Sequence, residues 1–218
     1  DSFTVYQTIT VLDADGDVSE EITNTFTVSI QPVGYIPDAN CPIEGATGSG
    51  TEADPIIVDT FTELMAALEY SEKLYIQVDG YIECLETLKP SAEKTLTVNG
   101  TLHSENHIFE VWYSGFVLQG NGKITTEQGY CLSNTGSDTI IAGNLEIHSV
   151  GVGYHTITSS AGKLTISGGT ISNSFHRSLN VSNDATVILK LAACILNVTA
   201  LKAMTSVSTA VLQACVRR

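Results

Sequence analysis

From Leu74 onward the sequence repeats itself. Short β-prone runs end in glycine or asparagine and restart about 21 to 24 residues later. The series begins Leu74-Tyr75-Ile76-Gln77-Val78-Asp79-Gly80, Thr95-Leu96-Thr97-Val98-Asn99-Gly100 and Phe116-Val117-Leu118-Gln119-Gly120. It continues with Thr139 to Gly143, Lys163 to Gly168, Thr186 to Leu189 and Ala210 to Ala214. A second strand follows several of the glycines, as in Thr101 to His103, Lys123 to Thr125, Asn144 to Ile147 and Thr170 to Ser172. A third appears later in the unit, as in Ile108 to Val111 and Ser178 to Val181. Units of this length hold three short strands and three corners, with no room for a crossover helix. No unit buries its apolar face alone, but about seven stacked at roughly 4.8 Å enclose a continuous core. A parallel β-solenoid is therefore expected over residues 73–218, Val, Ile and Leu pointing inward and Thr, Ser and Asn outward. The competing β-sandwich would need turns every 8 to 12 residues or so.

Ahead of the repeats the organisation differs. Thr4 to Leu12 and Ile22 to Ile30 alternate β-branched or aromatic residues with polar ones around Asp15-Gly16, which predicts a hairpin within residues 1–34. A lone hairpin is marginal in water, so this one needs a packing partner. Pro32, Pro37 and Pro42 with Gly34, Gly45, Gly48 and Gly50 read as a linker, assigned to residues 35–54. Thr60-Phe61-Thr62-Glu63 has the form of a capping box, and Phe61, Leu64, Met65 and Leu68 follow at helical spacing, so residues 55–72 are expected to hold one amphipathic helix.

The hairpin resembles the last two strands of bacterial and phage immunoglobulin-like modules. The block Gly50 to Val58, the helix with Phe61, Leu64 and Leu68, and then Tyr75 to Gly80 resemble the opening of pectate-lyase-like right-handed β-helix proteins, in which an amphipathic helix caps the solenoid. Leu164-Thr165-Ile166-Ser167-Gly168-Gly169-Thr170-Ile171-Ser172 is similar to coils of phage tailspikes, other virion appendages and bacterial surface adhesins. The resemblance implies an all-β, right-handed parallel β-helix with an N-terminal hairpin and one capping helix. It argues for a fold and not a reaction, and nothing here matches the calcium-binding Asp cluster and catalytic Arg of pectate lyases.

Charge narrows the partners. With 24 acidic residues against 10 basic ones and a net charge of −14, the chain is a poor match for nucleic acid or anionic lipid. No apolar run is long enough to span a membrane. Five cysteines, Cys41, Cys84, Cys131, Cys194 and Cys215, show no CxxC pair and read mostly as buried thiols.

Several groups carry candidate chemistry. Asp13, Asp15 and Asp17, with Glu20 and Glu21 beyond, could offer hard oxygen ligands to calcium, although an Asp-Gly hairpin turn explains the same residues. No other cofactor is indicated. His103, Glu105 and His107 would share a face if HSENH were a strand, placing two imidazoles and a carboxylate near a metal; as a corner it is merely polar, the reading preferred. Aligned coils put Glu127 over Glu105, close to the roughly 5 Å separation of retaining glycosidases. Trp112, Tyr113 and Phe116, with Tyr130 on the next coil, supply aromatic surface for sugar rings, or core.

These features lead to a structural or adhesive surface protein, on a virion or otherwise extracellular. The expected type is a phage appendage such as a head fibre, tailspike or tail-associated protein, able to bind host glycans and assembled with other virion or surface proteins. A bacterial extracellular adhesin is the first alternative; a polysaccharide lyase or glycosidase is the second. An uncapped last coil would expose strand edges, so a homo-oligomer or a continuing chain is expected, the trimer by analogy with tailspikes.

Overall fold

The computed structural model describes residues 2–12, 18–29, 41–112, 115–190 and 195–196. Contacts divide the chain into two compact units, Asp1–Ile36 and Pro37–Arg218. In the first, β1 (Ser2–Leu12) and β2 (Val18–Ser29) pair antiparallel from Ser2 opposite Ser29 to Leu12 opposite Val18, with a register shift at Val11/Leu12. The β-branched alternation in both strands produces this hairpin.

The second unit is a right-handed parallel β-helix. β3 (Ile56–Ile57) starts it and α1 (Phe61–Glu69) follows. Thr60 caps the helix: its hydroxyl accepts from the Glu63 N–H, and the Glu63 carboxylate accepts from the Thr60 N–H at 3.2 Å. Leu64, Ala67 and Leu68 face the core.

Coil one then runs through β4 (Leu74–Val78) and β5 (Tyr81–Glu83), and coil two through β6 (Lys94–Val98), β7 (Thr101–Ser104) and β8 (Phe109–Val111). Coil three contains β9 (Phe116–Gly120) and β10 (Lys123–Thr126) and ends in the first half of β11 (Leu132–Ile141), whose second half opens coil four. β12 (Glu146–Ser149) and the first half of β13 (Ile157–Ile166) complete coil four. The rest of β13 joins β14 (Thr170–Asn173) and β15 (Leu179–Val181) in coil five. β16 (Thr186–Leu189) and β17 (Ile195–Leu196) belong to coil six. The seventh repeat expected at Ala210 to Ala214 lies outside the described residues.

Three parallel faces result. Leu74 pairs with Lys94, Lys94 with Phe116, Phe116 with Thr139, Thr139 with Leu164 and Leu164 with Val187, so coil length varies around the period read from the sequence. Ile76, Leu96, Leu118, Ile141 and Ile166 form one inward column on the first face. Ile82, Leu102, Ile124, Ile147 and Ile171 form another on the second, and Phe109, Leu132 and Ile157 a third. All of these are buried, each contributing about 1.5–3 kcal/mol through its apolar surface.

The recurring glycine after the first strand has a steric cause. A Cβ on Gly100, Gly122, Gly143 or Gly168 would collide with a glycine carbonyl of the coil below, so the corner between first and second faces stays tight only with glycine there.

Three features depart from the sequence expectation. Residues 41–54, read as the end of a linker, pack on the solenoid, with Ile43 and Ala46 buried and Gly50 O accepting from Tyr75 N at 3.0 Å. Not every inward position is apolar: Ser104, Thr126 and Ser149 stack at one corner and bond the turning backbone, Thr126 and Ser149 both donating to Gly129 O at 2.8 and 2.7 Å. Asn134 is fully buried where β11 bends, donating to Ser159 Oγ and Ala161 O and accepting from Ser137 N and Thr139 Oγ1.

Lys94 is the third. It occupies an inward position at 1% exposure, and its ammonium donates to Tyr70 O at 2.8 Å and Glu72 O at 2.7 Å, filling carbonyls left open beyond the end of α1. Burial lowers its pKa to about 8.

Candidate functional site

Two surfaces of the solenoid carry chemistry, and they are built differently. On the second face, Glu83, His103, Thr125, His148 and Ser172 form one outward column over five coils. The column bonds to itself. His103 Nδ1 pairs with Thr125 Oγ1 at 2.9 Å, and Tyr81 OH donates to Glu83. His148 reaches Ser172 Oγ through Nδ1 at 2.7 Å and Ser174 Oγ through Nε2 at 3.1 Å. Lys123 and Glu146 pair beside it at 3.0 Å. The His148 contact sets a base beside the exposed Ser174 hydroxyl, but the N–H groups of Phe175 and His176 that follow already donate to Asn173 Oδ1, at 2.9 and 2.5 Å. They are not free to hold an oxyanion, which acyl transfer would require.

The third face has a different edge. His107, Tyr130, His155 and Arg177 each stand two residues before a stacked third-face residue: Phe109, Leu132, Ile157 and Leu179. The repeat therefore places them at one corner, on four successive coils. His107 and Tyr130 lie flat on each other, ring centroids 4.0 Å apart and planes 4° from parallel. His107 Nδ1 accepts from Tyr130 N–H at 3.2 Å, so in the neutral ring Nε2 carries the proton. Burial lowers the His107 pKa against a smaller opposing pull from Glu110, keeping the ring neutral near pH 7. Tyr154 meets His107 edge-on at 5.3 Å. His155 meets His176 edge-on at 4.5 Å, and Phe175 stands 68% exposed beside them.

Several candidates from the sequence find places here. Tyr130 belongs to the third-face corner, stacked on His107 rather than clustered with Trp112. Trp112 follows the other end of the third-face strand and is 54% exposed; Phe116 is core, packed on Phe109 at 5.5 Å. Tyr113 lies outside the described residues, as do Asp13, Asp15 and Asp17. His103 and His107 do not share a strand face. β7 ends at Ser104, the chain turns at Glu105 and Asn106, and His107 emerges on the next side. Among the described residues no group of three His, Cys, Asp or Glu side chains is placed to hold a metal.

Glu127 does stack over Glu105: Glu127 N donates to Ser104 O at 3.0 Å and Gln128 N to Glu105 O at 2.9 Å. Both side chains are exposed at that corner. Cys84 and Cys131 are buried free thiols, their pKa pushed up to about 12 chiefly by burial, which makes them inert packing groups. Cys41 is half-buried and free; Cys194 and Cys215 lie outside the described residues.

Sequence reading missed Tyr154, His155, Phe175, His176 and Arg177. For His155 and Arg177 the available signal was positional: an aromatic, imidazole or guanidinium two residues before each third-face apolar residue, visible only once the third strand of every coil is aligned.

No family model, curated protein or solved structure matches the chain. No helix among the described residues is long and apolar enough to cross a membrane.

Proposed function

We propose that the chain is a non-enzymatic, surface-displayed β-helix whose third-face corner holds a glycan. The expected setting is a phage virion appendage such as a head fibre, tailspike or tail-associated protein, assembled as a homo-oligomer. The observation that carries this reading is the His107–Tyr130 stack with Tyr154, His155 and Phe175 along one exposed corner. Ring edges at coil spacing, with the exposed Tyr154 and Phe175 rings beside them, suit successive sugar rings. A rigid solenoid presents such a column without an ordering cost on binding. A bacterial adhesin would use the same surface, and the two differ in where the protein is displayed.

A glycan array with the intact chain and its Tyr130→Ala variant tests the reading. The expected result is binding to at least one cell-surface glycan, weakened about tenfold or more in the variant, a loss of about 1.4 kcal/mol. Binding by neither, or equal binding by both, overturns it. Cleavage of an array glycan that stops in Glu105→Gln or Glu127→Gln would replace it with the glycosidase reading.

A further inference from the structure

In coil five the third-face corner changes from aromatic to cationic. Asn173, Ser174, Phe175, His176 and Arg177 line an open depression of about 420 Å³. The charged groups acting on His155 are His176 and Arg177, and both disfavour its proton, adding to the larger effect of burial. The Arg177 carbonyl, which accepts from Thr156 N at 3.3 Å, favours that proton, and the buried Nδ1 of His155 makes no hydrogen bond. The Arg177 guanidinium makes no ion pair among the described residues, whereas Lys73, Lys89 and Lys123 each pair with a glutamate.

With 24 acidic side chains against 10 basic ones in the chain, three of the seven described cations, all lysines, have a carboxylate partner, and Lys94, Lys163, Lys190 and Arg177 have none. With no carboxylate at ion-pairing distance, the Arg177 guanidinium at the depression is open to an anion. The guanidinium fork matches a carboxylate in two parallel hydrogen bonds. Asn173 holds the corner in shape, accepting from Phe175 N and His176 N and donating to Tyr154 O and Thr156 Oγ1, both at 3.1 Å. The exposed Phe175 ring at the rim offers a face for a sugar ring.

We propose that this depression is an acidic-sugar subsite, in which Arg177 and His176 bind the carboxylate of a sugar residue whose ring lies against Phe175. The assignment rests on the glycan-binding reading above and deepens it by naming the charge class of the ligand. Sulfate or phosphate groups on a neutral sugar carry related chemistry, and the test separates them.

Biolayer interferometry would use sialic-acid and uronic-acid oligosaccharides, each paired with its carboxyl-reduced neutral form and with a sulfated or phosphorylated neutral analogue. The acidic member of at least one pair is expected to bind about tenfold or more tighter. Arg177→Gln should shrink that preference below about twofold; Arg177→Lys should keep part of it, since an ammonium supplies charge without the fork. Equal binding within every pair, still lost in Tyr130→Ala, overturns the acidic subsite and leaves glycan binding standing. Tighter binding of the sulfated or phosphorylated analogue overturns the assignment to a carboxylate. No binding by any probe overturns both proposals.

Discussion

The five histidines of the chain divide between two parts of the solenoid. His103 and His148 stand on the second face, where both bond to hydroxyls of the neighbouring coil. His107, His155 and His176 stand at the third-face corner, where rings meet rings, His107 Nδ1 accepts from Tyr130 N–H and the His155 Nδ1 has no partner. The residue types are similar and the outcome is opposite. A column whose donors and acceptors match from coil to coil closes itself to solvent competitors. At the corner the imidazoles meet rings instead of hydroxyls, and apart from the Tyr130 N–H bond to His107 Nδ1 their ring nitrogens have no hydrogen bond among the described residues.

Substitutions that break or sharpen this contrast differ in expected size. The largest act beneath both surfaces: Leu102→Ala under the second face and Leu132→Ala under the third should each cost about 2–5 kcal/mol in urea unfolding. A much smaller loss at Leu132 would mean that the third face is not a packed wall and cannot hold its corner rigid. Next is Lys94→Met, which strips the donors from Tyr70 O and Glu72 O and should cost about 1–3 kcal/mol while sparing both surfaces.

Lys94 also gives a pH signature. Its folded pKa, lowered to about 8 from 10.5, means that the folded chain releases this proton before the unfolded chain does. The charged ammonium is disfavoured by folding below pH 8, and that penalty fades as pH rises toward 10.5, so this residue makes stability rise across the window. The neutral amine still donates both hydrogen bonds. Comparing thermal midpoints of wild type and Lys94→Met from pH 7.5 to about 10.5 should show the gap between them widening with pH; a constant gap contradicts the account.

Smaller effects separate the surfaces directly. His148→Ala removes two hydroxyl contacts and should lower stability by about 1 kcal/mol without changing glycan affinity. Tyr130→Ala should do the reverse, weakening binding more than folding. Lys123→Ala, at an exposed ion pair, should change stability by no more than about 0.5 kcal/mol, and a larger loss would show that second-face pairs do more than close the surface.

Much of the fold was legible because the physics producing it is periodic. Glycine recurs where a Cβ would strike the coil below, and Ile and Leu recur where strands face inward, so the period, the first two strands of most coils and the third strand of coils two and five could be read directly. The capping box at Thr60 and Glu63 was equally local. Lys94 was not legible, since its inward position is tolerated only because Tyr70 O and Glu72 O converge on it from just beyond the end of α1, more than twenty residues earlier. Residues 41–54 have loop composition and still pack, because Ile43 and Ala46 supply the apolar contacts that their Pro- and Gly-rich surroundings conceal. The Glu105–Glu127 register could be aligned from the repeat. The third-face corner could not, because continuous β11 and β13 hide the third strand inside a run that also begins the next coil.

The most direct test follows imidazole signals of the intact, isotope-labelled chain by NMR during titration with the glycan that binds most tightly in the array. The account predicts shifts at His107, His155 and His176, with His103 and His148 unmoved. Shifts confined to His103 and His148, or spread evenly over all five, would contradict it.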